Sequence, residues 1–351
     1  MIPAAVGKRR QKGVALIIVL MAFALGSILA SGMLSRQNIM IQGATTYIAQ
    51  NKARSLAFGA EGFARQFLAR DLEGSGNQQG DQENQGQEGD DGADNITRAE
   101  VDHPKEDWAR AALALPVEEG VIEAQINDLR GRFNVNSLLN ENGSVDERQR
   151  DRFQRLLLAL EIRNLAPETV IDWVDANDQR TGGAGAEDGD YMIMDPPYRA
   201  ADQPFVSVTE LRLLDGITQE EYQRLRPHVT ALPTRDGTIN VNFATTAVIR
   251  SLHERITRGQ AESVYKTIRE TPVETVEDFL ALPEFAGLGL ESDGLGVSTD
   301  FFEIAARVSV SGTVYRLVSR VQRTSDGEVR ILSRDTGRTQ LITKEQVQAS
   351  E

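Results

Sequence analysis

Lys8, Arg9, Arg10 and Lys12 stand directly before Gly13, and Gly13 opens an uncharged, largely apolar run that continues to Ser35. At helical rise about 20 apolar residues cover about 30 Å, the thickness of a bilayer core, whereas a secretory signal needs only about 7 to 15. The run therefore predicts a membrane-spanning helix. Basic residues precede it and only Arg36 follows closely, so the positive-inside rule leaves the N-terminus cytoplasmic and the bulk of the chain on the far side. The same stretch also reads as a plain signal anchor, or as a cleaved signal peptide with a small-residue site at Ala30-Ser31-Gly32.

A chain of 351 residues exceeds one ordinary domain and predicts two or three folded pieces on this anchor. It contains no cysteine, which removes disulfides, thiol chemistry and Cys-ligated zinc, so stability outside the cytoplasm must come from packing or bound metal. A net charge of -14 argues against a nucleic-acid partner and leaves room for cations. Of the histidines His103, His228 and His253, the last begins His253-Glu254 but meets Thr257 where an HExxH site needs its second His. Without a P-loop, a dinucleotide fingerprint or a serine elbow, the reading is a non-enzyme. The formal alternative is an anchored periplasmic calcium-binding hydrolase using paired carboxylates.

From Arg36 to Leu72 there is no proline, and Ile39, Ile48, Leu56, Phe63 and Phe67 recur at near-helical intervals. Anchor and stem read as one long helix, with residues 14–35 in the membrane and 36–72 beyond it. Residues 73–98 turn to Gly, Gln, Asn, Asp and Glu and read as a disordered insert. After it come a helical stretch through Trp108 to Leu115 and a strand at Val121 to Ile126. Two phrases, Asn134-Val135-Asn136 and Asn240-Val241-Asn242, each precede helical sequence, which fits asparagine capping a helix start and hints at an internal duplication. Helices are expected at Val145–Ile162, Ala166–Val174, Val208–Leu214, Gln219–Leu225, Thr245–Ile256, Gln260–Ile268 and Val276–Leu282. Past Ser298 the pattern changes to an antiparallel meander, Phe301–Val310, Val314–Arg323 and Val329–Ser333, and the tail 339–351 reads as loose.

The chemically richest stretch runs from Asp172-Trp173-Val174-Asp175 through Asn177, Asp178 and a glycine-rich loop to Glu187-Asp188-Gly189-Asp190. So many oxygen donors suit Ca²⁺, which takes roughly 6 to 8 oxygens and tolerates irregular loops. It is not an EF-hand. Counting Asp175 as position one puts Gln179 at position five, Arg180 at the glycine position and Ala186 at the bidentate glutamate position. A solvated acidic turn is the competing reading. A rival class comes from Leu211 to Thr218 with Tyr222 and Leu225, which is similar to a DNA-binding helix-hairpin-helix, although Asp215, Glu220 and Glu221 surround its glycine.

Two resemblances sharpen the reading. Gln11-Lys12-Gly13-Val14-Ala15-Leu16 resembles a type IV prepilin leader. That resemblance implies cleavage after Gly13 by a prepilin peptidase and N-methylation of Val14. Pilins usually carry Glu at the fifth mature position; here it is Ile18, which suits a subunit at a filament tip. The ordered set Gly131-Arg132-Phe133-Asn134-Val135-Asn136, Asp172-Trp173-Val174-Asp175-Ala176, Gly185-Ala186-Glu187-Asp188, Pro197-Tyr198-Arg199-Ala200-Ala201 and Val208-Thr209-Glu210-Leu211-Arg212 resembles the protein K family, the large minor pseudopilins of bacterial type II secretion.

The family resemblance implies an α+β fold: a transmembrane and stem helix with a pilin-like antiparallel sheet, interrupted by a large inserted all-α domain. The divisions expected are 1–13 leader, 99–137 and 298–338 pilin-like, 138–297 inserted helical. It also implies a single-pass protein of the bacterial inner membrane with its bulk in the periplasm, a tip complex with minor pseudopilins I and J, and calcium bound by Asp175, Asp178, Glu187, Asp188 and Asp190.

Overall fold

The computed structural model describes residues 14–77, 101–110, 112–338, 342–344 and 346–348. The leader, including Gly13, and most of the 73–98 insert lie outside them. Helix α1 spans Val14–Asn77 without a break and so continues past the expected end of the stem at Leu72. Its first part presents Leu16, Ile17, Ile18, Phe23 and Ile28 with nothing packed on them, as a lipid-facing segment must. Its second part buries a stripe at intervals of three and four: Ala53, Ala57, Glu61, Ala64 and Leu68. The alanines let the helix lie close on a sheet whose facing residues include Ile122, Ala306, Val308 and Leu317.

After α1 comes a single helical turn, α2 (Asp107–Arg110), then strands β1 (Ala112–Val117) and β2 (Gly120–Asp128). The helix expected through Trp108 to Leu115 is therefore one turn only, and Ala112 to Leu115 are strand. A short Ala/Leu run carries no decisive period. Here pairing decides, since Leu113 to Val117 lie antiparallel to Ala124 to Gly120. The inserted domain holds β3 (Phe133–Asn134), α3 (Glu147–Ala159), α4 (Pro167–Val174), α5 (Asp188–Tyr191), α6 (Gln219–Leu225), β4 (Val229–Thr230), β5 (Ile239–Asn240), α7 (Thr246–Ser251), α8 (Arg258–Glu270), α9 (Val276–Leu280) and β6 (Leu295–Gly296). The chain closes with β7 (Phe301–Val310), β8 (Thr313–Arg323), β9 (Val329–Asp335) and β10 (Gln346–Gln348).

The main sheet runs β10-β1-β2-β7-β8-β9. Strand β2 pairs antiparallel with β7 from Gly120↔Val310 to Asp128↔Phe302, so the inserted domain grows out of the middle of the sheet. Ser311 (φ 47°) and Gly312 (φ 78°) make the β7–β8 turn with both central residues left-handed, the geometry that matches strand twist. The tail differs from expectation. Gln346–Gln348 pair in parallel with Ala112–Ala114, and Ile342 packs against Ala305 and Val318. Gln125 fixes the approach, its Oε1 accepting the N–H groups of Thr343 (2.8 Å) and Lys344 (3.0 Å).

The inserted domain is a tandem repeat. In the first unit β3 pairs in parallel with β4, and in the second β5 pairs in parallel with β6. Asn134 and Asn240 each accept the N–H two residues ahead, at 3.2 and 3.0 Å, as capping predicts. The second asparagine does something the sequence did not suggest. Asn136 grips the backbone of Phe205, Oδ1 accepting its N–H at 2.8 Å and Nδ2 donating to its C=O at 2.9 Å. Asn242 grips Val273 in the same way, both bonds at 3.0 Å. Ser207 and Thr275, each two residues beyond the gripped residue, then cap the next helix. Phe133, Val135 and Asn136 thus belong to the inserted domain, which begins before residue 138. Gly131 allows the units to meet, since a Cβ there would stand 2.5 Å from the Phe243 backbone.

Trp108 joins the parts, stacked on Phe243 at 5.3 Å and edge-on to Phe302 at 5.1 Å. Just before it, burial raises the Glu106 carboxyl to about 8, with Asp102 and Asp71 adding to the shift and the His103 N–H opposing it. A folded-state pKa above the ordinary carboxylate value means the folded chain holds this proton more tightly than the unfolded one. The resulting stability is complete below the ordinary range near pH 4.5 and is lost as pH rises through about 8. Glu106→Gln should flatten this loss in urea titrations between pH 5 and 9; an unchanged pH slope would show that Glu106 does not titrate there.

Candidate metal centre

Helix α4 starts with Pro167 at its first turn and ends at Asp175, so it aims Asp172 and Asp175 at the loop that follows. Asp172 is fully buried, and its carboxylate accepts the Thr181 N–H at 2.9 Å. Gly185 lies against that carboxylate so closely that a Cβ would be 2.0 Å from Oδ2, and Thr169 donates to Ala184 O at 2.8 Å. The loop is laid back along the helix that launches it. Beneath it Trp173 meets Tyr191 edge-on at 5.1 Å, Tyr191 stacks on Tyr198 at 5.4 Å, and Trp173 stacks on Phe205 at 6.3 Å. Phe205 is also the residue gripped by Asn136, which ties this floor to the repeat.

On that floor sits Glu187, 5 % exposed, with neither carboxylate oxygen hydrogen-bonded. A buried, unsatisfied carboxylate is costly, and the cost is visible in its acidity. Burial first, and then Asp172, Asp175, Asp202 and Asp178, push it up to about 7. Asp175 and Asp202 are raised as well, by burial and then by neighbouring carboxylates. Arg180 and Arg199 stand at the edge of this loop, but among the described residues no cation pairs with Glu187, and a divalent cation is a group that would relieve its charge. The donor set fits a hard ion, being all oxygen.

The five predicted ligands are not equivalent. Asp175 uses Oδ1 for Asn177 N (3.0 Å) and Asn177 Nδ2 (2.8 Å), while Asp178 is exposed on the loop. Asp188 spends both oxygens on the chain, accepting from Ala200 N at 3.0 Å and Arg199 at 3.1 Å. Asp190 does likewise, accepting the Glu187 N–H at 2.9 Å and pairing with Arg180. Glu187 is thus the predicted ligand left without a hydrogen bond, with Asp172, Asp175, Asp202 and Asp178 acting on its charge. Sequence reasoning missed Asp202; the signal was its place directly after Pro197-Tyr198-Arg199-Ala200-Ala201. Asp188 places it there through Ala200, and the Asp202 N–H donates to Trp173 O at 3.1 Å.

A second acidic group brings oxygens of Asp71, Asp102 and Glu106 within 4.8 Å of one another, and the loop carboxylates stand further apart than that. Arg323 already pairs with Asp71 and Asp102, so part of that group's charge is met from within. The hairpin at Gly216 is also self-satisfied. Glu221 accepts the N–H groups of Arg163 (3.1 Å), Asn164 (3.3 Å) and Thr218 (3.1 Å), so these backbone donors are already taken. Burial alone would raise Glu221, but these bonds hold it at about 2.

Two family models described as type II secretion system protein K match residues 131–234 and 239–298. Type II secretion system protein K of Pseudomonas aeruginosa is 34% identical over 335 residues, 94% of each chain. This chain belongs to the type II secretion system protein K family. The protein K of Aeromonas hydrophila is 28% identical, covering 94% of this chain and 98% of that one. In three dimensions the chain resembles a protein in the GspK-GspI-GspJ complex from enterotoxigenic Escherichia coli, with TM-score 0.68, 20% identity and coverage of 84% and 99%. The boundary between the two family models falls between the repeat units, each of which closes with its own parallel strand pair.

Proposed function

We propose that this protein K family member is the minor pseudopilin at the tip of the periplasmic pseudopilus, assembling with minor pseudopilins I and J to support protein export. The observation that carries the reading is α1, one continuous helix in which a bare apolar anchor passes into a stem packed on the sheet. A subunit so built can be drawn from the membrane into a filament without refolding. The inserted domain makes it bulky above the sheet, and Ile18 removes the carboxylate with which a pilin neutralises its neighbour's N-terminus; both suit a cap. The part is structural, not catalytic. The similarity to a chain solved in complex with GspI and GspJ supports the choice of partners.

Coexpression of the full chain with minor pseudopilins I and J should recover all three on one affinity tag. A chain that comes down alone from every combination would count against the tip reading. Processing gives an independent check. The mature chain should begin at N-methylated Val14, and a bulky residue at Gly13 should block cutting by the prepilin peptidase. An N-terminus at Met33 in mass spectra would mean an ordinary signal peptide instead.

Calcium belongs to this proposal as a structural ion. Glu187, Asp175, Asp178 and Asp202 would hold it, with Asp188 and Asp190 fixing the loop around them. When bound it supplies charge compensation and cross-links the loop to the segment that follows α5. Nothing in that arrangement calls for hydrolysis.

A further inference from the structure

Among the described residues three arginines are buried: Arg130, Arg152 and Arg323. Arg130 pairs with Asp236 and Asp300, and Arg323 with Asp71 and Asp102. Arg152, 4 % exposed, has no carboxylate. Its contacts are two long hydrogen bonds to backbone oxygens, Gly294 O at 3.3 Å and Asp293 O at 3.4 Å, and its Nε has no partner. Burying a guanidinium without a counter-ion costs several kcal/mol, and the chain has met that cost with two carboxylates at each of the other two sites.

Arg152 lines a cavity of about 300 Å³ between α3 of the first repeat unit and the loops around Leu252 and Leu290 of the second. Arg148 and Arg155, one turn away on either side along α3, line it too. Arg148 is committed to Asp293 at 2.9 Å. Arg155 donates Nε to Ser251 O at 2.7 Å and, among the described residues, has no carboxylate within salt-bridge distance. The acidic residues of the rim, Glu254, Glu291 and Asp293, face solvent, where their charge is screened. The inner wall is thus cationic and the outer rim hydrated.

We propose that this cavity binds a small tetrahedral oxyanion of the phosphate or sulfate class, held by Arg152 and Arg155. A planar guanidinium presents paired N–H donors that match two oxygens of such an anion, and the free Nε edge of Arg152 is the unsatisfied donor that invites it. The site lies at the junction of the two repeat units, so the anion would join them by bonding an α3 whose neighbours belong to the second unit. It is separate from the calcium loop and has the opposite charge requirement.

Isothermal titration of the full chain in detergent with inorganic phosphate, at ionic strength held constant with sodium chloride, tests this. Saturable binding is expected, absent in Arg152→Gln and weakened about tenfold in Arg155→Gln, the scale of one charge-assisted hydrogen bond. Arg148→Gln should bind as the unmodified chain does, because Arg148 is already paired. If Arg152→Gln fails to fold, Arg155→Gln decides. The proposal is overturned if phosphate gives no saturable heat beyond the chloride blank, or if Arg155→Gln binds with unchanged affinity.

Discussion

Replacing Arg323 by Met should destabilise the folded part that follows the apolar segment by about 3 to 5 kcal/mol, the usual cost of removing one partner from a buried ion pair. The side chain is 2 % exposed and bridges three parts of the chain. It donates to Asp102 at 2.7 Å and to Asp71 at 3.2 Å, and its guanidinium lies over the Phe302 ring at 4.9 Å. Asp102 is fully buried, and among the described residues Thr299 N (2.7 Å) gives further support for its charge. Burial already pushes Asp102 above the usual carboxylate range with Arg323 beside it, so losing the cation would leave it protonated or badly solvated. Urea unfolding followed by circular dichroism reads the effect. Combining Arg323→Met with Asp102→Asn should recover much of the loss, because the orphaned charge goes with it. A single variant within 1 kcal/mol of the unmodified chain would mean that α1 and the sheet are held together without this pair.

Millimolar calcium should raise the melting temperature of the full chain, and a chelator should lower it. Binding to the folded form alone adds RT ln(1 + [L]/Kd), about 2.7 kcal/mol at a hundredfold excess over Kd. For extracellular modules Kd is commonly about 10⁻⁴ to 10⁻³ M, so the titration belongs in the millimolar range, and magnesium should substitute poorly. Glu187→Gln should remove the calcium response while leaving the calcium-free fold no less stable, since the variant deletes a buried charge that the chain itself does not satisfy. Asp202→Asn should weaken the response. Asp188→Asn should keep it, because its side-chain oxygen can still accept the Ala200 N–H. A response lost in Asp188→Asn would make Asp188 a direct ligand, and one retained in Glu187→Gln would remove Glu187 from the ligand set.

The sequence by itself determined what depends on neighbours along the chain. A long apolar run forces a helix with a bare apolar surface, alternation from Phe301 to Ser333 forces a meander, and a glycine-rich stretch of carboxylates cannot pack as core. It also showed Asn-Val-Asn twice, which is how the repeat could be suspected. What it left open depends on which distant segments meet, and there the free energy comes from contacts that no local period encodes. Ala112 to Leu115 became strand because β2 and the tail were there to pair with it. Asn136 and Asn242 became clamps because Phe205 and Val273, 69 and 31 residues further on, return beside them. Within the acidic loop, composition announced oxygen donors, but only tertiary structure separated them. Asp188 and Asp190 found Arg199, Arg180 and backbone N–H groups, whereas Glu187 was buried with nothing to bond. A carboxylate's role is set by the donors that reach it, and those arrive through the fold.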